Sequence, residues 1–238
     1  MNGIVGLNKK IYINTVAENY LCVPAVLETV IKSEGIKEIG KYDLANFFGV
    51  VLPNGLEYPQ ITNFSHSGSA QSLGVNLKYN SINALFEFYN IPLVEEYVKI
   101  NFIDRDFFAD YLYDVLIAGK HVVCGFEYHS LYKLTGEYSG HVSIVFDADK
   151  TSDTVHLIDP GPRDAGIKTV KTYDLYQAIS KAKDILFNTD LVEFTEDDID
   201  TIVCEAESSA GNPCEDCDED CDDDYCSEDR EYLYDELY

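Results

Sequence analysis

The chain has 238 residues, 46% of them hydrophobic, which is enough for one sizeable domain with a buried core and an appendage. The formal net charge of -26 is uneven, because residues 196–238 carry 19 acidic side chains and one basic, whereas residues 1–195 carry 24 and 16. Such charge repels phosphates, so we expect no nucleic acid partner. Apolar runs are too short for a secretory signal or a bilayer-spanning helix, which predicts no membrane insertion and a soluble, cytoplasmic protein.

The first predicted helix begins at or just after Cys22 and ends near Gly35. Pro24 is compatible with a helix only in its first turn, because proline lacks an N–H group and clashes further along. Glu28 and Glu34 are expected on the solvent side of this helix. The apolar residues that follow the spacing of one buried helix face are Val23, Val26, Leu27, Val30 and Ile31.

The remaining elements change in character along the chain. Further helices are predicted at 43–48, from the Ser81 cap, at 106–118 and at about 173–183, with a loop over 50–80. Runs rich in β-branched residues predict strands at 121–126, 141–146 and 155–158, and an apolar run follows at 185–187. Helices that precede a sheet are typical of an α+β fold, with N-terminal helices packed on a C-terminal antiparallel β-sheet.

Cys22 occupies a position that favours a reactive thiolate. The unpaired N–H groups and the positive dipole end of a helix N-terminus stabilise negative charge there. A catalytic thiolate also needs a histidine and a group that orients its ring. His141 opens one predicted strand and Asp159 closes the next. If these strands form an antiparallel hairpin, the two side chains are neighbours, which predicts a Cys–His–Asp arrangement.

Three motifs carry a resemblance to a known family. They are Asn19–Ala25 (NYLCVPA) before an apolar helix, Gly140–Val142 (GHV) after a Gly119–Val122 (GKHV) strand, and Leu157–Pro160 (LIDP). In this order they resemble the bacteriocin-processing cysteine peptidases, which are papain-like leader peptidases of ABC exporters and their stand-alone relatives. The resemblance covers roughly residues 10–195. It implies a papain-like domain over 1–195, a catalytic triad of Cys22, His141 and Asp159, and no cofactor.

The oxyanion hole departs from the family pattern. The family usually has a glutamine six residues before the cysteine, and Val16 stands there in this chain. Asn19 is the expected substitute, with Asn14 as a second nearby amide and the Cys22 backbone N–H as the other donor. Loss of one such donor costs roughly two to three orders of magnitude in rate, so slow proteolysis is expected.

Several functions fit these residues. The leading hypothesis is a thiol hydrolase that cleaves a peptide or amide bond. An acyltransferase would use the same thioester and an acyl substrate, with an amine in place of water. A papain-like binding module without efficient catalysis is the third alternative.

The same residues also have ordinary structural interpretations. Cys22 could be a small buried residue at a helix start, His141 a strand histidine and Asp159 a turn former. Cys124 is predicted to belong to the core, and His129, in the loop before His141, is a candidate substrate contact.

The segment 196–238 is predicted to be a disordered acidic tail, because dense like charge with low hydrophobicity cannot offset chain entropy. Four of its cysteines follow a C-x2-C-x3-C-x4-C spacing and could hold zinc. Structural zinc sites usually take two pairs of ligands from separate turns with apolar residues packed around them, and this segment has neither, so no metal site is expected. These cysteines are Cys214, Cys217, Cys221 and Cys226. A short apolar pattern at 231–238 is an alternative docking peptide for a protein partner.

Overall fold

A computed structural model of the chain describes residues 3–69, 72–75, 81–136, 139–182 and, as backbone only, 190–196. These residues belong to a compact unit, Met1–Asp197. The predicted apolar run at 185–187 lies outside the described residues. So does the predicted acidic tail apart from Glu196, together with its cysteines and the docking peptide.

The described ranges contain six α-helices and eleven strands. The helices are α1 Cys22–Ser33, α2 Lys41–Phe48, α3 Ile82–Phe88, α4 Phe108–Ile117, α5 Tyr128–Tyr132 and α6 Thr172–Ser180. The strands are β1 Ile4–Val5, β2 Ile11–Tyr12, β3 Val50–Pro53, β4 Phe64–Ser67, β5 Gly74–Val75, β6 Leu93–Lys99, β7 His121–Glu127, β8 Gly140–Asp149, β9 Thr154–Asp159, β10 Gly166–Lys171 and β11 Asp190–Glu196. The predicted α+β class is confirmed.

The largest sheet has six strands in the order β10-β9-β8-β7-β11-β6, and every neighbouring pair is antiparallel. The antiparallel pairing predicted for the strands that contain His141 and Asp159 is confirmed, since Ile144 of β8 lies opposite Ile158 of β9. An antiparallel neighbour begins where its partner ends, so the start of β8 and the end of β9 lie at the same end of the sheet.

The two faces of this sheet are covered by different helices. Successive side chains of a strand point to opposite faces, so Val123 and Ile144 enter one core while Val122 and Val145 enter the other. Helices α1, α2 and α3 fill the first core. Helices α4 and α6 fill the second. The sheet is thus the central layer, and α1 lies on the face opposite α4 and α6.

Helix α1 buries its predicted apolar face, whose members Val23, Val26, Leu27, Val30 and Ile31 are at most 2% exposed. Each such side chain contributes about 1.5–3 kcal/mol when fully buried. The expectation that Glu28 faces solvent is wrong, because this residue is buried. Its carboxylate pairs with Lys32 and accepts the backbone N–H of Lys41 at 2.9 Å, where α2 begins. Glu28 therefore fastens α1 to α2.

The loop expected over 50–80 contains a small sheet instead. Strand β3 pairs in parallel with β4 and antiparallel with β5. The strands are only two to four residues long and are interrupted by glycine and proline, so no alternating pattern was long enough to predict them. The Ser81 cap is confirmed, since its hydroxyl accepts the Ala84 N–H at 3.0 Å.

Across the described ranges, no helix combines the length and apolarity that crossing a bilayer demands.

Candidate active site

Cys22 is the first residue of α1, where the sequence predicted a nucleophile. The chain enters the helix through a tight turn in which Tyr20 has a φ of 70° and the Leu21 N–H donates to the Glu18 carbonyl at 3.1 Å. The first N–H groups of a helix lack intrahelical partners, so the thiol lies at the positive end of α1. Cys22 is half-buried.

The structure brings His141 and Asp159 into direct contact. Nε2 of His141 lies 2.9 Å from Oδ1 of Asp159, and the two side chains are 9% and 3% exposed. His141 is the second residue of β8 and Asp159 the last of β9, so the antiparallel register creates the contact. The ring nitrogen donates and the ionised carboxylate accepts.

Cys22 is a neighbour of the His141 ring, since it is one of the groups that raise the pKa of His141. Because Nε2 faces Asp159, Nδ1 is the ring nitrogen available to this thiol. Two aromatic rings enclose the imidazole edge to face, with ring centroids 5.6 Å away for Phe126 and 5.3 Å away for Tyr128. The ring is therefore held between a thiol, a carboxylate and two aromatic walls.

The pKa of His141 is raised to about 9. Burial alone would lower this pKa, because it disfavours the charged imidazolium. The hydrogen bond to Asp159 and the interaction with Cys22 outweigh that penalty. At neutral pH the ring is consequently protonated and can pair with a thiolate.

Asp159 is held in its ionised form by several donors. Burial acts to raise its pKa, but hydrogen bonds from His141, the Gly161 N–H and Tyr132 lower it. The Gly161 N–H lies 2.8 Å from Oδ1, and the Tyr132 hydroxyl lies 3.0 Å from Oδ2. Both carboxylate oxygens are thus occupied.

Two hydrogen bonds attach the segment before Cys22 to the end of β9. The side-chain amide of Asn14 donates to the Asp159 carbonyl at 2.9 Å, and the Ala17 N–H donates to the Pro160 carbonyl at 2.8 Å. These contacts join the segment before α1 to the backbone at the end of β9.

The expected oxyanion donors differ in their surroundings. The Asn14 amide is engaged with the Asp159 backbone, so Asn14 serves to position that strand end. Val16 is 53% exposed, and its carbonyl accepts from Lys41 at 2.7 Å. Asn19 is exposed, and its backbone carbonyl accepts the Tyr58 hydroxyl at 3.1 Å. The oxyanion role of the Asn19 side chain stays a prediction.

Cys124 and His129 lie on β7 and α5, the two elements that precede β8. Cys124 is fully buried, as predicted, and burial raises its pKa to about 12, so it remains a thiol. His129 lies on α5 with Nδ1 3.4 Å from a carboxylate oxygen of Glu127. Its suggested contact with substrate stays a prediction.

A second buried histidine–carboxylate pair fastens the far end of α1. The His121 ring, 1% exposed, lies with Nδ1 2.7 Å from the Tyr12 hydroxyl and Nε2 2.5 Å from Glu34. Lys10 also reaches Glu34, at 2.8 Å. Burial opposes ionisation of Glu34, but its hydrogen bonds to His121 and Lys10 lower its pKa to about 2. The expectation that Glu34 faces solvent is therefore wrong.

Within the described ranges, no group of three or more histidine, cysteine or acidic side chains could hold a metal ion. The four candidate zinc ligands Cys214, Cys217, Cys221 and Cys226 lie outside those ranges.

Sequence reasoning missed Tyr132 and Tyr128. Both come from α5, a single-turn helix in the connection between β7 and β8 that the sequence did not predict. Their separation of four residues, which puts two side chains on the same helix face, was the available signal.

The comparisons with known proteins support the fold. No protein-family model matches the chain, and no curated protein matches its sequence. Among solved structures it is similar to a protein from Bacillus anthracis that is described provisionally as a C39-like peptidase, with a TM-score of 0.50 and 15% identity. The match covers 81% of this chain and 97% of that chain. The described residues therefore have a fold similar to that of this C39-like protein, while the narrower resemblance to the bacteriocin-processing group stays a prediction.

Proposed function

We propose that this protein is a papain-like thiol hydrolase that cleaves a peptide or amide bond through Cys22, His141 and Asp159. The observation that carries the proposal is the buried His141 ring, which lies 2.9 Å from the Asp159 carboxylate and has Cys22, at the N-terminus of α1, among the groups that raise its pKa. Burial of a charged pair costs desolvation free energy, and strongly shifted pKa values are concentrated at functional sites, which supports a catalytic role for a pair that also has Cys22 as a neighbour.

The proposed catalytic cycle accounts for every bond and proton. The Cys22 thiolate attacks the carbonyl carbon, and the resulting oxyanion accepts hydrogen bonds from the Cys22 backbone N–H and, as proposed, Asn19. His141 gives its proton to the leaving amine as the carbon–nitrogen bond breaks, which leaves a thioester. Water then attacks the thioester while His141 takes its proton, and the acid is released with the thiolate restored.

Asp159 serves this cycle through His141. It fixes the ring so that Nδ1 faces the sulfur, and its charge stabilises the imidazolium in the resting state. The high pKa of His141 and the low pKa of Asp159 agree with a thiolate–imidazolium pair.

Alkylation of Cys22 tests the proposal without knowledge of the substrate. The rate of reaction with iodoacetamide would be measured from pH 4 to pH 10 on the tryptic peptide of residues 11–32, because mass mapping separates Cys22 from the other cysteines. The wild type is expected to react well below pH 7, since the thiolate is already formed there. His141→Ala should move this reaction to the range of an ordinary thiol, near pH 8–9.

His156→Ala is the matched control. His156 also lies on a strand of the large sheet, but its ring contacts Thr169 at 3.0 Å and not the candidate site. It should leave the alkylation profile of Cys22 unchanged. Slow labelling of Cys22 at neutral pH, equal in the wild type and in His141→Ala, would refute the enzymatic proposal.

The fate of the thioester separates the remaining alternatives. A fluorogenic peptide library incubated with and without a primary amine reports hydrolysis as free acid and acyl transfer as the amide. Free acid as the main product in the presence of the amine supports the hydrolase. Amide as the main product would replace it by the acyltransferase. An activated thiol that turns over no peptide or acyl donor would indicate the binding module.

A further inference from the structure

The connection between β7 and β8 folds back over the candidate site as α5. Glu127, the last residue of β7, caps this helix by accepting the backbone N–H groups of His129 and Ser130 at 3.2 and 2.5 Å. It also accepts the Ser139 N–H at 3.2 Å, just before β8. One buried carboxylate therefore closes the connection at both ends and determines where α5 lies.

The last residue of α5 returns to Asp159. The Tyr132 hydroxyl donates to Oδ2 at 3.0 Å, while Oδ1 accepts from His141 and from the Gly161 N–H. The Tyr132 ring packs edge to face on Tyr128, with centroids 4.7 Å apart, and Tyr128 packs in the same way on His141. One face of α5 thus covers both the His141 ring and the carboxylate.

We infer that Tyr132 is a positioning residue of the proposed triad: its hydroxyl holds the second oxygen of Asp159 so that the carboxylate stays ionised and faces His141. The inference rests on the proposed function for its catalytic meaning. Its physical basis is that a buried carboxylate oxygen without a donor raises the free energy of the ionised form. Without Tyr132, both hydrogen bonds to the carboxylate would end on Oδ1, so its terminal torsion would be less constrained.

The groups that surround Asp159 make Tyr132 well suited to this role. The titratable groups that interact with it are Cys124 from β7, Tyr132 from α5 and His141 from β8. Burial and the negative charge of Asp159 both raise the pKa of the Tyr132 phenol, so this hydroxyl keeps its proton and remains a donor at every physiological pH. His141 is the only one of these partners that carries positive charge.

Tyr132→Phe removes the hydroxyl and keeps the ring that packs on Tyr128. The titration of the Asp159 carboxyl carbon, followed by NMR in the full chain, is expected to shift upward by about one pH unit, because one donor to the charged form is lost. The pH below which Cys22 alkylation slows should rise as well, since protonation of Asp159 removes the partner that stabilises the imidazolium.

Tyr176→Phe is the matched control. Its hydroxyl is also half-buried and donates to a carbonyl, that of Ile103, at 3.1 Å, on α6 and away from the triad. This variant should lose a comparable hydrogen bond without any change in the Asp159 titration. The inference is overturned if Tyr132→Phe and Tyr176→Phe have the same Asp159 titration and the same pH dependence of Cys22 alkylation.

These measurements test the proposed function and the role of Tyr132 independently. The Asp159 titration needs neither substrate nor turnover, so an inactive wild type would leave the Tyr132 result standing. An active wild type whose Asp159 titration is unmoved by Tyr132→Phe would leave the proposed function standing and reject the role of Tyr132.

Discussion

The raised pKa of His141 has a direct consequence for stability. In the folded protein this pKa is about 9, compared with an ordinary value of 6.5. Between these two pH values the folded state binds more protons than the unfolded state, so the free energy of unfolding falls as pH rises. The stabilisation is fully present below pH 6.5 and is lost as pH rises through 9.

The magnitude follows from the size of the shift. The side chain of His141 is only 9% exposed, so its interactions are little screened by solvent. From pH 7 to pH 10 the protein should lose about 2–3 kcal/mol of unfolding free energy through this one group. His141→Gln has no titrating side chain at this position, so its free energy of unfolding should lack this part of the decrease. Titrations elsewhere in the chain are common to both proteins and cancel when the two unfolding free energies are subtracted.

Urea unfolding at half-unit steps from pH 6 to pH 10 measures the effect. The wild-type curve should approach that of His141→Gln as pH rises, with the difference changing most steeply between the two pKa values, at about pH 7–8.5, and levelling off above pH 9. Cys22→Ser, measured alongside, separates the contribution of the thiol from that of the ring. Parallel curves for the wild type and His141→Gln across this range would refute the assignment of a stabilised imidazolium.

Three further predictions concern the rest of the domain. Asn19→Ala should lower kcat by about 10²–10³-fold with little change in KM, because an oxyanion donor acts mainly in the transition state. Steady-state kinetics that show an unchanged kcat would exclude Asn19 from that role. Glu34→Gln should destabilise the protein by about 1–3 kcal/mol at pH 7, because it breaks the buried pair with His121. The wild type and Glu34→Gln should then converge as pH falls from 4.5 towards the pKa of about 2, and denaturant melts that keep a constant gap over this range would contradict the pairing. Leu27→Ala should lower the free energy of unfolding, measured in urea, by about 2–5 kcal/mol, since this side chain of α1 is fully buried. A loss below about 1 kcal/mol would mean that the core around Leu27 is packed less tightly than described.

Much of the candidate site followed from local patterns in the sequence. The 3–4 spacing after Pro24 and the stop at Gly35 located α1 within two residues of its observed end, and with it the position of Cys22. The short β-branched runs located β8 and β9, and their antiparallel pairing accounts for the contact between His141 and Asp159. These features are determined by neighbours along the chain, which is why periodicity and turn residues detect them.

The missed features depend on partners that are distant in sequence. Glu28 and Glu34 are charged residues on a helix, and local pattern alone assigns them to solvent. Each is buried because a distant group compensates it, the Lys41 backbone in one case and the His121 ring in the other. The single turn of α5 is too short to show a period of its own, so the role of Tyr132 became visible only from the contact with Asp159.

The hydrogen bond between Asn14 and the Asp159 carbonyl joins residues 145 positions apart. Contacts of such separation form late in folding, because the entropy of closing a long loop must be overcome first. During synthesis, a chain that ends before β9 contains Cys22 and His141 but lacks Asp159. The contact between His141 and Asp159, and with it the candidate site, is therefore complete only after β9 has been made and has paired with β8.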